Sequence, residues 1–420
     1  MGKTQSYLRG KLPSSWGREG PKQGRLAEII NPKDLLQDRI LGTIYGNCIG
    51  DAIGLLTEFL SKEQATKYLG GKHVEYSMKQ IVGQRFIHQM AFPEADWTDD
   101  SDQMILILQS LMENNGKVNV VDFANKLFEW RLHGFPELGD TCGMGVGQNT
   151  WKVITNPHFK TDPHKAAEDV WESSERKSAP NGGVMRTSIV GIHRHDDIEL
   201  VISNTKAFCK VTHADPRCVA SCVAVTTAIA MMLQGQHRDG AGKLDVEALT
   251  AASFEYAKEC LLRDEEGNLD ENQVTQLRFH MYASLKELDL GFRASIGYTL
   301  KCMGAGFWAL RQKNFRNAIQ ELILEGGDAD TNGAVAGAML GCKLGYSKLP
   351  PTWRDGLKHK EWLDDIVARY LEMGIVVEDC GTPVDAPTKD ILSSKPDNAE
   401  PENVVKDDTG SLHCQACYSI

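Results

Sequence analysis

From Asp34 to about Gly374, apolar residues recur at the three- and four-residue spacing of a helix, and this periodicity constrains the fold most. Leu35, Ile40 and Ile44 begin the pattern. Alternation of apolar and polar residues, which is typical of strands, is scarce along the same stretch. The sequence therefore predicts an all-α fold.

Most of the predicted helices open with Asp, Asn, Ser or Thr or close with Gly. After residue 160 they span 163–176, 184–193, 197–211, 215–233, 245–263, 272–289, 296–312, 315–325, 328–344 and 355–373. The segment 184–192 comes nearest to a strand. Residues 333–345 are rich in Gly and Ala, which let two backbones approach closely, so we expect this helix to be central. The segments 70–96 and 264–293 look like excursions from the helical core.

Composition divides the chain into one domain with a polar segment at each end. Residues 1–33 are polar and rich in Gly, Pro and Ser, so we expect a flexible arm. Nothing resembling a linker interrupts 34–374, which favours a single compact domain. Residues 375–420 are polar and contain several prolines, which predicts a disordered tail.

Charge and cysteine content exclude several classes of protein. With 46 Lys and Arg against 57 Asp and Glu, the net charge is −11, and no basic block could follow a phosphate backbone, so we expect no nucleic-acid partner. The 11 scattered cysteines and the polar N-terminus indicate a reducing, cytoplasmic protein. Because no run of about 18 apolar residues occurs, we expect no transmembrane segment.

Two short clusters, more than half the chain apart, place carboxylates and a hydroxyl within one helical turn. They are Thr98-Asp99-Asp100 and Asp328-Ala329-Asp330-Thr331. Such oxygen atoms suit Mg²⁺, Mn²⁺ or Ca²⁺, and adjacent acids repel one another unless a cation or solvent offsets the charge. The alternative is helix N-capping, since acids favour the positive end of a helix. The similarity of the two clusters favours a metal site.

A third acidic element runs from Gly50 to Glu58. Glu58 ends an apolar helix, where it is either a functional carboxylate or an ordinary solvated acid. Asp51 is spaced with Gly46, Gly50 and Gly54 in a way that indicates a close helix crossing. We therefore interpret Asp51 as structural.

Two glycine-rich loops have the features of anion-binding turns. Gly143, Gly145 and Gly147 place free backbone N–H groups before a predicted helix. The segment 179–186 contains two glycines that permit positive φ, and its Arg186 could pair with a diphosphate or with a core acid. For each loop, a simple turn is the alternative.

His213 and a pair of cysteines have mainly structural interpretations. His213 lies at a helix junction marked by Asp215 and Pro216, where a lone histidine is usually a hydrogen-bonding structural residue. Cys218 and Cys222 share one helix face without a third ligand, so we interpret them as buried small residues.

In this order, the motifs resemble those of the ADP-ribosylglycohydrolase family, over roughly residues 36–370. The family includes dinitrogenase-reductase-activating glycohydrolase and the ADP-ribosyl-acceptor hydrolases. The motifs are Gly50-Asp51-Ala52 with Glu58, Trp97-Thr98-Asp99-Asp100-Ser101, the glycine loop at 143–147, Asn181-Gly182-Gly183-Val184-Met185-Arg186, Thr212-His213-Ala214-Asp215-Pro216 and Gly327-Asp328-Ala329-Asp330-Thr331. The resemblance implies an all-α bundle with two Mg²⁺ ions, or Mn²⁺ ions, in a central cleft.

The resemblance also implies a role for each motif. The metal ligands would be Thr98, Asp99, Asp100, Asp328, Asp330 and Thr331. The substrate-binding residues would be Gly143, Gly145, Gly147, Asn181, Gly182, Gly183, Met185, Arg186 and His213. Glu58 would be the catalytic carboxylate that closes on the metal and handles water or a proton. The metals would hold ribose hydroxyls, and the glycine turns would hold the diphosphate.

Two acids do not fit the family pattern. Asp102 is an additional acid beside the first cluster, and it is either a supporting partner or a surface residue. Asp140 lies roughly where some members of the family carry a proton donor, but we do not assign it that role.

The expected function is a Mg²⁺-dependent hydrolase that removes ADP-ribose from a protein side chain or from a related ADP-ribosyl compound. The alternatives are a non-catalytic ADP-ribose-binding or metal-binding module, a structural protein that retains the fold and, less favoured, a phosphatase or another binuclear hydrolase. Arginine, serine, poly(ADP-ribose) and O-acetyl-ADP-ribose linkages differ only beyond the anomeric carbon. We expect the segments 70–96 and 264–293 to discriminate among them.

Both ends of the chain match lipidation patterns. Gly2 and Ser6 fit the N-myristoylation pattern, and Cys417 stands four residues from the C-terminus, as prenylation requires. One lipid binds a membrane only weakly, whereas two anchor a protein stably. We therefore hypothesise a lipid-mediated membrane tether, which an intact-mass measurement on protein from a eukaryotic cell tests.

Overall fold

The computed structural model describes residues 24–31, 33–77, 79 and 91–374, and within them it contains helices and isolated β-bridges but no sheet. The helices are α1 (Arg25–Ile29), α2 (Leu35–Gly54), α3 (Lys62–Leu69), α4 (Asp99–Glu113), α5 (Val120–His133), α6 (Gln148–Ile154), α7 (Pro163–Ser173), α8 (Ser188–Ile192), α9 (Ile198–Lys210), α10 (Pro216–Leu233), α11 (Val246–Lys258), α12 (Glu271–Tyr282), α13 (Leu285–Leu288), α14 (Thr299–Leu310), α15 (Phe315–Ile323), α16 (Ala329–Leu344), α17 (Pro351–Arg354) and α18 (Lys360–Glu372). The predicted all-α class is confirmed.

The centre of the fold is a very close antiparallel crossing of α2 and α16. Small residues face one another along it, in the pairs Gly42 with Gly341, Gly46 with Gly337 and Gly50 with Gly333. A Cβ atom at Gly50 would lie 1.9 Å from the backbone oxygen of Gly333, which is far closer than atoms can approach. This contact confirms the expected central position of the Gly- and Ala-rich helix. It also brings the C-terminal end of α2 beside the N-terminal end of α16.

Two helices are long and apolar enough for membrane spans by length and composition alone, although the sequence predicts no transmembrane segment. These are the stretch Leu35–Thr57, which includes α2, and Pro216–Leu233, which is α10. Within their apolar windows, 100% and 89% of the residues are buried inside the fold. This burial is typical of core helices, which are often long and apolar enough to resemble membrane spans.

Some helix boundaries differ from the prediction. The helix expected at 272–289 is two helices, α12 and α13, because Ser284 starts a new one with a reciprocal capping box to Glu287. The segment 184–192 is not a strand, since it forms a turn followed by α8. It is buried throughout, so its apolar side chains carried no reliable period.

The segment 264–293 is only in part an excursion, since residues 264–276 lie at the surface and the residues from 277 onwards contribute to the core. Leu277, Met281 and Leu288 are fully buried in it, and Tyr298 just beyond it donates to the side chain of Gln276 at 2.8 Å. The segment 70–96 is described only in part. In that part, Tyr76 donates its hydroxyl to the backbone oxygen of Trp353 at 2.8 Å.

A short sequence repeat, which the pattern analysis missed, precedes both α11 and α12. Arg-Asp-x-x-Gly-x-Leu-Asp occurs at 238–245 and at 263–270. In both copies the first aspartate accepts two backbone N–H groups of its own loop, and the last one caps the following helix. The arginine donates to the oxygen of the loop glycine at 2.8 Å in each copy. The two turns are therefore the same local structure used twice.

The chain ends lie mostly outside the described residues. Within the predicted arm at 1–33, α1 packs against α18, with Leu26 buried and Arg25 bonded to Glu372 and Asp365. Folded structure therefore begins before residue 34. Residues 1–23 of the arm, the tail at 375–420 and the lipidation sites at Gly2 and Cys417 lie outside the described residues, so a flexible arm, a disordered tail and a lipid tether stay predictions.

Candidate active site

The ends of α2, α4 and α16 bring the predicted acids together. Two groups of carboxylates have oxygen atoms within 4.8 Å of one another, and they are Asp51 with Asp100 and Asp330, and Glu58 with Asp328 and Asp330. Asp330 belongs to both groups. The tertiary structure thus joins the two sequence clusters at one centre, through a residue common to two adjacent candidate cation positions.

Three acids of the two sequence clusters are buried more deeply than isolated charges would allow. Asp99, Asp100 and Asp330 are 7%, 3% and 4% exposed. Burial, reinforced by neighbouring acids, raises the pKa of each of the three well above its ordinary value. Such a cluster needs protons or a cation to offset its charge.

Unsatisfied oxygen atoms point to a cation. Oδ2 of Asp100 and Oδ1 of Asp330 are buried without a hydrogen-bond partner. Buried polar atoms are rarely left without a partner, and a set of carboxylate and hydroxyl oxygens is what a hard divalent cation binds. The residues present therefore fit a metal site.

Asp51 stabilises the start of α4, a contact that its interpretation from the sequence, based on a close helix crossing, did not include. Its carboxylate accepts the backbone N–H groups of Thr98 and Ser101, both at 3.0 Å, and the Ser101 hydroxyl at 2.7 Å. Burial raises the pKa of Asp51 to about 7. The sequence did not predict that Asp51 would lie beside Asp100 and Asp330, because only the spacing of its neighbouring glycines was informative.

Helix capping does not explain the acidic clusters. Thr98, not Asp99, is the N-cap of α4, and its hydroxyl accepts the N–H of Asp100 at 3.4 Å. Asp328 stands at the N-cap position of α16 but makes no capping bond. Its Oδ2 instead accepts the side-chain N–H of Asn181 at 2.8 Å. Thr331 contacts the centre through a hydrogen bond that lowers the pKa of Asp100, against the larger upward effect of burial.

Glu58 is not the solvated surface acid that the sequence allowed, since it is only 5% exposed. It follows a short turn, Leu55–Thr57, at the end of α2. The next residue, Phe59, has a φ of 60°, and its N–H donates to the oxygen of Gly327 at 2.6 Å. Gly327 donates in return to Leu60 at 2.9 Å. This backbone pairing holds Glu58 beside Asp328.

The loop at 143–147 lies next to the first acidic cluster. Gly145 has a φ of 87°, and a Cβ atom there would lie 2.4 Å from Oδ1 of Asp99. Gly143 is buried, whereas Gly145 and Gly147 are exposed. The loop is therefore close enough to the acids to contact a ligand that they hold.

The turn at 181–183 connects to the second cluster. The side chain of Asn181 donates to Asp328, and its backbone N–H donates to the backbone oxygen of Gly297 at 2.9 Å. Gly182 packs on the ring of His213, whose nearest atoms would lie 3.0 to 3.1 Å from an added Cβ. Met185 is 4% exposed and packs in the core.

The side chains of Arg186 and His213 lie beneath this turn and bond to protein groups, which favours a structural role, and their contact with substrate stays a prediction. They are 0% and 2% exposed. Arg186 donates to Gln103 and to the Thr212 hydroxyl, both at 2.7 Å. Burial lowers the pKa of Arg186 to about 10, so it stays charged at neutral pH. Burial lowers the pKa of His213 well below its ordinary value, so its ring is neutral there.

Gln103 links Arg186 to the acidic centre and was missed by the sequence analysis. Its amide nitrogen donates to Oδ2 of Asp99 at 2.7 Å, and its oxygen accepts from Arg186 at the same distance. The sequence signal that could have revealed Gln103 was a polar residue four positions after Asp99 in an apolar helix.

The structure agrees with leaving Asp140 without a catalytic role and with interpreting Cys218 as a buried small residue. Asp140 accepts the Phe135 N–H at 2.9 Å, and Cys218 is buried.

Comparisons with known proteins agree with this arrangement. The model of the ADP-ribosylglycohydrolase family matches residues 32–379. An ADP-ribosylarginine hydrolase Tri1 of Serratia proteamaculans is 25% identical over 87% of this chain and 88% of its own. The ADP-ribosyl-[dinitrogen reductase] glycohydrolase of Rhodospirillum rubrum is 23% identical over 77% and 92%. A solved ADP-ribosylglycohydrolase-related protein complex, 22% identical, shares the fold with a TM-score of 0.56 over 80% and 98%.

The family match spans α2 to α18 and every motif of the candidate site. The relatives are covered over most of their own length, so the similarity is not confined to one motif. This chain belongs to the ADP-ribosylglycohydrolase family and is a hydrolase of ADP-ribosyl compounds that acts in the reversal of ADP-ribosylation.

Proposed function

We propose that this protein is a Mg²⁺-dependent enzyme that hydrolyses the glycosidic bond between ADP-ribose and a protein side chain. The observation that carries the proposal is the pair of carboxylate groups that share Asp330, with Glu58 in one of them. A protein that only binds ADP-ribose would not need an additional carboxylate, Glu58, beside the proposed metal ligands Asp328 and Asp330.

Two Mg²⁺ or Mn²⁺ ions would be held by the two carboxylate groups. Asp100 and Asp330 would hold one, Asp328 and Asp330 the other, with Thr98, Asp99 and Thr331 completing the set. When bound, the ions supply positive charge that fixes ribose hydroxyls near the scissile bond. Asp51 would keep Asp100 in place by anchoring the first turn of α4.

Glu58 would exchange a proton with the attacking water or the leaving group. Glycoside hydrolysis passes through an oxocarbenium-like state, and a positioned carboxylate supplies acid or base assistance to it. The pairing of Phe59 with Gly327 fixes the backbone on which Glu58 stands. The exposed Gly145 and Gly147 and the less exposed turn at 181–183 would hold the diphosphate through their backbone N–H groups.

The experiment that tests this function uses a panel of peptides, each carrying ADP-ribose on one type of side chain. Release of ADP-ribose from at least one peptide, lost with EDTA and restored by Mg²⁺, is the expected result. Arginine-linked peptides belong in the panel because the Serratia relative bears the name ADP-ribosylarginine hydrolase. Binding of ADP-ribose without turnover on any linkage would instead indicate a non-catalytic module.

Glu58→Gln should reduce turnover by roughly 10²-fold or more, the usual scale for a positioned acid–base group, because the amide cannot exchange the proton. ADP-ribose should still bind, since the metal ligands remain. Steady-state kinetics together with calorimetric titration of ADP-ribose measure the two effects.

The matched control is Glu63→Gln, which changes an exposed acid in α3. It should behave like the wild type. Native turnover in Glu58→Gln would remove Glu58 from the mechanism, whereas loss of metal binding would make it an essential ligand.

A further inference from the structure

The loop at 143–147 contacts α4 directly at Asp99 and indirectly at Asp102, through Trp130 of α5. Gly145 packs directly on Asp99 in the first turn of that helix. Gly143 packs on the ring of Trp130, where an added Cβ atom would lie 2.7 to 2.8 Å from three ring atoms. Trp130 in turn is bonded to Asp102, three residues after Asp99. Asp99 and Asp102, three residues apart on one face of α4, thus connect to the loop, the first directly and the second through Trp130.

Asp102 accepts hydrogen bonds from two tryptophans at once. Its Oδ1 accepts the indole N–H of Trp97 at 2.7 Å, and its Oδ2 accepts that of Trp130 at 3.0 Å. Both indoles are buried, at 3% and 2% exposure. The carboxyl group offers one acceptor oxygen to each indole, whereas asparagine would turn an N–H group towards one of them.

The far side of the loop is held by Arg131. Its guanidinium donates to the oxygen of Gly143 at 3.2 Å and lies over the ring of Trp151, 5.0 Å from the ring centre. A cavity of about 520 Å³ is lined by these two side chains and by residues 142–146. The loop is thus fixed between Trp130 beneath Gly143 and Arg131 beside it.

We propose that Asp102 is a positioning residue which, through Trp130, sets the loop at 143–147 at the correct distance from the acidic centre. This inference rests on the proposed function, in which that loop holds the diphosphate of ADP-ribose. Asp99 and Asp102 stand on the same turn of α4, so one rigid helix would place the metal ligands and the diphosphate loop together.

The test compares Asp102→Ala, Trp130→Phe and the control Trp97→Phe, which removes the other indole donor to the same carboxylate. Free ADP-ribose is titrated calorimetrically in the presence of Mg²⁺, and amide hydrogen exchange is followed at residues 143–147 without ligand. Asp102→Ala and Trp130→Phe should each weaken ADP-ribose binding about tenfold, the scale of one buried hydrogen bond, and speed exchange in the loop. Trp97→Phe should stay within about twofold of the wild type, because the bond that it loses is not the one that leads to the loop.

The double variant Asp102→Ala/Trp130→Phe should bind no more weakly than the weaker single variant, because both changes break the same bond. Affinity for Mg²⁺ should be unchanged in all four proteins. Native affinity and native loop exchange in Trp130→Phe would overturn the inference, as would an equal loss in Trp97→Phe. If Asp102→Ala does not fold, the two tryptophan variants still decide. A wild type that binds no ADP-ribose would contradict the proposed function instead, and the exchange measurement would remain valid for the loop.

Discussion

Asp330→Asn should abolish hydrolysis and weaken cation binding at both candidate positions, because Asp330 is the residue that the two carboxylate groups share. We expect turnover to fall by at least about 10³-fold, the upper scale for removal of a main charge-stabilising group. Asp328→Asn should leave the group of Asp51, Asp100 and Asp330 complete and retain one bound cation. Metal content by mass spectrometry and calorimetric titration with Mg²⁺ measure the difference.

Stability distinguishes loss of metal from loss of fold in this experiment. The pKa of Asp330 is raised well above its ordinary value, so its ionised form destabilises the metal-free protein. Metal-free Asp330→Asn should therefore melt no lower than metal-free wild type, while Mg²⁺ should raise the melting temperature of the wild type only. Glu265→Gln, at an exposed acid in the loop before α12, is the control. Normal binding of two cations by Asp330→Asn would place the metal site elsewhere.

Gly337→Ala should destabilise the fold strongly, although alanine is the better helix former. In an exposed helix the change would add about 1 kcal/mol of stability. In α16 the new Cβ atom would lie 2.0 Å from the backbone oxygen of Gly46, and backbone cannot yield as a side chain can. We expect a net loss of about 3 kcal/mol or more, the scale of overpacking in a core. The midpoint of urea unfolding measures it.

The control for this prediction is Gly240→Ala. Gly240 lies in an exposed turn, and an added Cβ atom there would meet nothing within 4 Å. Its unfolding midpoint should stay close to that of the wild type. A Gly337→Ala protein as stable as this control would show that α2 and α16 pack less closely than described. Activity should fall with stability, since the same crossing brings Asp51 beside Asp330.

The comparison of α2 with the segment 184–192 shows which local features the sequence could reveal. Caps, glycine spacing and apolar period are properties of neighbouring residues, so α2 and the close approach of Gly46 and Gly50 to another helix were predictable. The segment 184–192 was ambiguous because it is buried throughout, and side chains that face protein in every direction carry no period. The break at Ser284 needed a capping box to be weighed against a continuous apolar pattern.

By itself, the sequence determined the chemistry of this protein: the helical class, the two acidic clusters, Glu58 and the family that their order resembles. Those depend on residue type and on short spacing. The tertiary structure decided which atoms meet. It showed that Asp330 joins two carboxylate groups, that Arg186 and His213 support a turn from below, and that Asp102 holds Trp130. These contacts join residues far apart in the chain or set by side-chain direction, and no periodicity within one segment records how two helices cross.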